Sequence, residues 1–176
     1  MGGTVTYEDY AAAAADGMSI AHAAARNPDR IAVYSQYGDR TFGELTARLT
    51  QIVRVLRDAG VQYGERVALL CRNRGEFAEV AMATARGGYW LTAVNWHLTP
   101  DEVNYVVEDC GAKVLFIDAT VPCAEGVAAT ASAPLIVSIA GKLARATQYE
   151  DLLAGVDTSD IDEPRRGSTM LYTSGT

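Results

Sequence analysis

Apolar and polar positions along the chain follow two periods, one typical of helices and one typical of buried strands. Leu45, Leu49, Ile52, Val53 and Leu56 recur at helical spacing and predict an amphipathic helix. Short apolar runs, which predict buried strands, lie at 66–70, 90–94, 113–118 and 135–139. Because helical and strand segments alternate, we predict an α/β fold with a mostly parallel sheet flanked by helices.

Capping-box spacing marks three predicted helix starts. In each, a side chain that can accept a hydrogen bond precedes a glutamate by three residues. The pairs are Thr41 with Glu44, Asn73 with Glu76, and Thr99 with Glu102. Pro100 adds a proline at the first helical position of the third start. Further predicted elements are a helix at 19–27, a strand at 31–35, a weak helix within 121–134 and a polar surface connection at 155–167.

Composition excludes several classes of partner. The formal charge of −7 and an isoelectric point near 4.8 argue against nucleic-acid binding, which needs a basic face. The cysteines, Cys71, Cys110 and Cys123, have no spacing suited to zinc or redox chemistry and indicate reduced thiols. No apolar run is long enough to span a membrane, and the N-terminus lacks the pattern of a secretory leader. We therefore expect a cytoplasmic protein with no transmembrane segment and no metal site.

The C-terminal residues carry the one pattern with an evident chemical task. A short apolar segment, 169–172, runs into Thr173, Ser174, Gly175 and Thr176. Hydroxyls and backbone N–H groups around a glycine form a cradle for phosphate oxygens, because glycine permits close backbone approach. The segment lacks the lysine and the spacing of a Walker A loop. Taken alone it also fits an ordinary surface turn, so its interpretation depends on the motifs that accompany it.

Four motifs follow one another in a definite order. They are Arg-Thr-Phe-Gly-Glu-Leu at 40–45, Gly-Val at 60–61 with Gly-Glu-Arg-Val-Ala at 64–68, Val-Asn-Trp-His-Leu-Thr-Pro-Asp-Glu at 94–102, and Tyr-Thr-Ser-Gly-Thr at 172–176. Their order and spacing resemble the N-terminal part of the adenylate-forming enzymes. That family includes acyl-CoA synthetases, aryl-CoA ligases, luciferases and peptide-synthetase adenylation domains. The motif at 94–102 resembles the acyl-CoA synthetases more than the peptide synthetases.

The resemblance implies an ATP-dependent acyl-CoA synthetase that acts on a fatty or related small-molecule carboxylic acid. In such enzymes the acid attacks ATP to give an acyl-adenylate and pyrophosphate, and the thiol of coenzyme A then displaces AMP. Thr173, Ser174, Gly175 and Thr176 would bind the β- and γ-phosphates, with Mg²⁺ nearby. The family's catalytic residues have no counterpart within this chain, and no residue is assigned to a metal.

The resemblance also implies that residues 1–176 form an incomplete AMP-binding domain, the N-terminal part of the family's large domain, without the C-terminal lid domain. We therefore expect the 176-residue chain alone to be inactive. An aryl-CoA ligase and an acyl-AMP ligase that serves a carrier protein remain alternatives within the family. A different class of alternative is a non-catalytic module that binds nucleotide weakly or associates with other subunits. An open sheet edge would favour such association, including the formation of a homo-oligomer.

Other residues suggest chemistry but have simpler interpretations. His97 could act as a base, although a lone histidine before a helix more often caps or packs. Trp90 and Trp96 could line an acyl pocket, but we expect them to belong to the core. Cys110 lies at a predicted helix end, where a thiolate is disfavoured. The acidic segment 157–163 is expected to be solvated surface.

Overall fold

The computed structural model describes residues 6–15 and 17–173. The helices are α1 (Tyr7–Ala15), α2 (Ser19–Arg26), α3 (Phe42–Asp58), α4 (Gly75–Gly87), α5 (Pro100–Asp109), α6 (Ala124–Thr130) and α7 (Tyr149–Leu153). The strands are β1 (Ile31–Val33), β2 (Arg40–Thr41), β3 (Arg66–Leu70), β4 (Trp90–Val94), β5 (Val114–Asp118), β6 (Leu135–Ile139), β7 (Thr147–Gln148) and β8 (Ser168–Met170). None of the helices in these ranges has the length and apolar character needed to cross a bilayer.

The main sheet has six strands in the order β7-β6-β5-β3-β4-β8, and every pairing in it is parallel. From β3 the chain moves to β4 on one side and then to β5 on the other. The strand order therefore reverses at β3, as in doubly wound folds. Strand β8 lies at one edge of the sheet, beside β4. A separate antiparallel pair is formed by β1 and β2. The predicted α/β class and parallel sheet are confirmed.

Apolar clusters cover both faces of the main sheet because successive strand residues point to opposite sides. In β3, Val67 and Leu69 belong to the first cluster, which also contains the apolar face of α3. Ala68 and Leu70 belong to the second cluster, which also contains the buried residues of α5 and α6. The sheet is thus a middle layer between two layers of helices. This arrangement explains why the strands appear in the sequence as continuous apolar runs.

Several predicted elements have the expected bounds. The strands expected at 66–70, 90–94 and 135–139 are β3, β4 and β6. The predicted capping boxes at Thr41 and Thr99 are both formed, with reciprocal hydrogen bonds to Glu44 and Glu102. The weak helix expected within 121–134 is the shorter α6.

The predicted cap at Asn73 is wrong. The N-cap of α4 is Arg74, which makes no side-chain capping bond, and the helix begins at Gly75. The backbone N–H of Arg74 donates to the carbonyl oxygen of Arg72, so the chain is still turning at Asn73. The carboxylate of Glu76 then accepts from the Arg74 guanidinium at 3.3 Å rather than from a capping amide.

The strand expected at 31–35 ends earlier, at Val33. Its partner β2 has only two residues, so only a short ladder can form between the two strands. After Val33 a turn takes over, in which the backbone N–H of Ser35 donates to Asp39 and that of Gly38 donates to the Ser35 carbonyl. This local bonding competes with extension of the strand.

The acidic segment 157–163 is more than solvated surface, which corrects the sequence-based expectation. Ile161 is buried and belongs to the first cluster. The carboxylate of Asp160 accepts from the buried guanidinium of Arg86 on α4. Arg54 and Arg57 on α3 donate to backbone carbonyls in the same segment. The connection to β8 is therefore fixed to α3 and α4.

Replacing Thr99 with alanine is expected to lower the free energy of unfolding by about 1 kcal/mol. The Thr99 hydroxyl accepts the backbone N–H of Glu102 at 3.4 Å, and alanine leaves that N–H without this acceptor. Urea unfolding measures the change. Thr99→Ser keeps the hydroxyl and should remain within a few tenths of a kcal/mol of the wild type. Equal losses in both variants would show that the cap is not responsible.

Candidate functional site

Strand β8 leads Thr173 to the carboxyl edge of the parallel sheet. It pairs with β4 from Ser168 to Met170, and the chain then continues through Leu171 and Tyr172. Thr173 is exposed there. Of the predicted phosphate-binding residues, Ser174, Gly175 and Thr176 lie outside the described residues, so their role stays a prediction. Ligands of open α/β sheets bind at this edge, which makes the position of Thr173 suitable for one.

A cavity of about 570 Å³ opens at the same edge. Three segments line it: the end of β4 with the loop after it, one face of α5, and the residues that follow β8. The lining residues are Ala93, Val94, Asn95, Leu98, Asp101, Glu102, Tyr105, Val106, Tyr172 and Thr173. The wall is mostly apolar, and its two carboxylates both belong to the first turn of α5.

Helix α5 is oriented by its capping box. Glu102 accepts hydrogen bonds from the backbone N–H and the hydroxyl of Thr99, each at 2.8 Å. The backbone hydrogen bond, followed by the hydroxyl, holds the pKa of Glu102 below its ordinary value. Glu102 therefore stays ionised, and its Oε2 atom accepts both hydrogen bonds of the cap. The helix begins directly at the cavity wall, and Tyr105, one turn into it, is largely exposed.

Tyr172 and Asp109 form a contact that sequence reasoning did not identify as part of the site. The Tyr172 hydroxyl donates to a carboxylate oxygen of Asp109, the last residue of α5. Burial and this carboxylate raise the pKa of Tyr172 well above its ordinary value, so the hydroxyl remains a donor at neutral pH. The four-residue spacing of Tyr105 and Asp109 was visible in the sequence, but no pattern indicates a partner 63 residues away.

His97 lies in the loop after β4 and is exposed. Its ring lies against that of Trp96, with 3.5 Å between the ring centroids, and its backbone N–H donates to Asn95. The guanidinium of Arg72 lies 4.9 Å from the Trp96 ring centroid. The packing role expected for His97 agrees with these contacts.

The two tryptophans differ in how far they are buried. Trp96 is partly buried against the second cluster, as expected for a core residue. The expectation that Trp90 belongs to the core is wrong, because 43% of it is exposed. Trp90 is the first residue of β4 and points outward at the amino end of the strand, away from the cavity.

The cysteine thiols are buried and free. Burial raises the pKa of the Cys71 thiol to about 12, and it also raises the pKa of Cys110. A thiol with such a pKa is a poor nucleophile at neutral pH. Within residues 6–15 and 17–173, no three histidine, cysteine or acidic side chains come together in a group that could hold a metal ion.

Comparison with known proteins gives consistent matches. The family model described as "AMP-binding enzyme" matches residues 20–176. The chain is 30% identical over 154 residues to the fatty acid–[acyl-carrier-protein] ligase ScoC of Streptomyces coeruleorubidus, covering 87% of this chain and 29% of that protein. It is 34% identical over 136 residues to a feruloyl-CoA synthase of Amycolatopsis sp., covering 77% of this chain and 26% of the relative.

Among solved structures, the anthranilate CoA ligase AuaEII in complex with anthranoyl-AMP has the same fold. Its TM-score is 0.77 with 23% sequence identity, over 90% of this chain and 31% of that one. The chain thus spans between 26% and 31% of the length of these three proteins. The residues that the family model matches, 20–176, include the main sheet and the helices α3 to α7.

Proposed function

The chain belongs to the AMP-binding enzyme family, and from this premise we propose that it is the N-terminal part of an ATP-dependent acid–thiol ligase. The complete protein would join a fatty or related carboxylic acid to coenzyme A through an acyl-adenylate, releasing pyrophosphate and AMP. The observation that carries the proposal is the position of Thr173. It stands at the carboxyl edge of the sheet, at the mouth of a mostly apolar cavity.

The residues at this edge suit different parts of the ligands. The exposed hydroxyl of Thr173 can donate to a phosphate oxygen, and Ser174, Gly175 and Thr176 would extend the same cradle. ATP supplies the leaving pyrophosphate, and Mg²⁺ would offset its charge. The carboxylates of Asp101 and Glu102 on the cavity wall repel a triphosphate. The phosphates would therefore be held at the mouth of the cavity by the turn.

The relatives differ from each other in the acid and in the acceptor thiol. ScoC, by its name, is a ligase for a fatty acid and an acyl-carrier protein, whereas the feruloyl-CoA synthase acts with coenzyme A. An acyl-AMP ligase and an aryl-CoA ligase are therefore the alternatives to test beside the acyl-CoA synthetase. The alternative acceptors are distinguished by whether AMP release requires coenzyme A or a carrier protein.

In the complete protein, Thr173→Ala is expected to lower kcat/KM for ATP about tenfold or more in a pyrophosphate-release assay, because a hydrogen bond to a charged phosphate is lost. Thr169→Ala is the matched control. Thr169 is also an exposed threonine of the same segment, but it lies at a groove near α1 and α2 rather than at the cavity. The control should keep wild-type kinetics.

A panel of fatty and aromatic acids in the same assay tests the proposed activity itself. Absence of pyrophosphate release with every acid would reject the ligase. Equal kinetics in the two threonine variants would reject the role of Thr173. We also propose that residues 1–176 alone release no pyrophosphate, and turnover by that chain would contradict this part.

A further inference from the structure

Tyr172 joins two parts of the fold that are far apart in sequence. Its hydroxyl donates to Asp109 on α5, and its ring packs against the second cluster. The side chain is therefore held at both ends, by an apolar contact and by a hydrogen bond to a charged group. Hydrogen bonds to charged groups are stronger than those between neutral partners.

Asp109 occupies a position that its own helix does not favour. It is the last residue of α5, follows Glu108, and no basic residue lies in that last turn. The carboxyl end of a helix carries partial negative charge, so a carboxylate there is unfavourable to the helix. The hydrogen bond to Tyr172 gives Asp109 a role at this position that helix stability does not explain.

The contacts of Tyr172 determine the position of the residues that follow β8. The regular ladder with β4 ends at Met170, and of the next three residues Leu171 and Thr173 are exposed. Tyr172, which is partly buried, is the point at which this segment contacts the rest of the fold through its side chain. Any movement of Tyr172 is passed directly to Thr173, the next residue.

We infer that Asp109 is a positioning residue for Thr173, the first residue of the proposed phosphate-binding turn, and acts through the hydroxyl of Tyr172. It fixes the place at the cavity from which Thr173 would contact a phosphate. The inference rests on the proposed function, because only a phosphate-binding role gives the position of Thr173 a kinetic consequence.

Kinetics of the complete protein test the inference. Tyr172→Phe and Asp109→Ala should each raise KM for ATP about three- to tenfold, with a smaller change in kcat, because one hydrogen bond is lost. The double variant should be no worse than either single one, since both remove the same bond. Asp109→Asn keeps an acceptor oxygen and should restore KM to within about twofold of the wild type.

Tyr34→Phe is the matched control. Tyr34 is exposed, follows β1 and does not line the cavity, so its variant should leave KM for ATP unchanged. A merely structural role would lower the melting temperature without a selective rise in KM, and Asp109→Asn would not then restore KM. Wild-type KM in Tyr172→Phe and Asp109→Ala would overturn the inference.

Backbone ¹⁵N relaxation separates this inference from the proposed function. In the 176-residue chain, the order parameter of the Thr173 amide should be lower by at least about 0.1 in Tyr172→Phe and Asp109→Ala than in the wild type or Tyr34→Phe. If the complete protein releases no pyrophosphate, the ligase proposal fails and the order parameters alone decide whether Asp109 holds this segment in place. Unchanged order parameters would reject this role of Asp109 even in an active ligase.

Discussion

Glu79→Ala is expected to lower the free energy of unfolding by about 3–5 kcal/mol, among the largest effects of any single substitution in this chain. Glu79 lies on α4 and is fully buried. Its carboxylate accepts from the Nε atoms of Arg40 and Arg48 at 3.0 and 2.7 Å, and from the hydroxyl of Tyr149 at 2.6 Å. One side chain thus ties α4 to the segments that carry β2, α3 and α7.

The large effect follows from the buried polar groups that lose their partner in Glu79→Ala. Arg48 keeps only 18% of its side chain exposed, and without Glu79 its charge loses its buried partner. The Tyr149 hydroxyl is buried as well and loses its acceptor. Removing one member of a buried charge network leaves the remaining polar groups desolvated, which costs more than the lost attraction itself.

Glu150→Ala provides the control because Glu150 binds the same arginine. Its carboxylate accepts from Arg48 at 2.7 Å, but 68% of its side chain is exposed. Exposed ion pairs contribute little, so this variant should lose less than about 1 kcal/mol. Urea unfolding of both variants measures the difference. Equal losses would mean that burial does not set the strength of this network.

The apolar pattern predicted the elements that depend on burial alone. Strands β3 and β6 are buried on both faces, so continuous apolar runs were sufficient to find them. The helix α3 was visible because its buried residues, including Leu45 and Leu56, lie on one stripe.

The sequence did not indicate the short elements that distant contacts stabilise. Strand β7 and helix α7 have two and five residues, too few for either period to be recognised. Strand β7 pairs with β6, where Val137 lies beside Thr147. Helix α7 depends on partners 70 and 102 residues away. Tyr149 donates to Glu79, and the Gln51 amide donates to the carbonyl of Leu153. Such pairs follow from the order of strands in the sheet, which local propensity does not determine.

The same limit applies to the candidate site. The prediction that residues 173–176 form a phosphate-binding turn came from the local motif together with the motifs that precede it. The contact between Tyr172 and Asp109 arises only because β8 returns beside β4 and so brings Tyr172 close to the end of α5. Neither residue has a neighbour in sequence that could reveal the other.

Gly167→Ala is expected to destabilise the fold by about 3 kcal/mol, at the upper end of the usual cost of overpacking. Gly167 directly precedes β8, and its backbone N–H donates to the carbonyl of Ala85 at 2.7 Å. A Cβ atom there would lie well inside van der Waals contact with the carbonyl oxygens of Tyr89 and Thr84 and 3.1 Å from the Cα of Ala85. These are backbone atoms that cannot rotate away.

Gly75→Ala is the control at a glycine with free space. It is the first residue of α4, and a Cβ built there meets no atom within 4 Å. Alanine is the better helix former, so this variant should match the wild type or gain up to about 1 kcal/mol. A stable Gly167→Ala protein would show that β8 can move away from α4 at little cost.

The two destabilising variants should differ in their effect on the site when assayed where both remain folded. Gly167→Ala forces β8 outward, and Thr173 follows this strand, so KM for ATP in the proposed complete ligase should rise. Glu79→Ala weakens contacts between α4 and the elements around it, but the ladder of β8 with β4 does not include that network. Its KM should therefore stay near the wild-type value despite the larger loss of stability. A parallel rise in both variants would mean that stability, and not the position of β8, controls nucleotide binding.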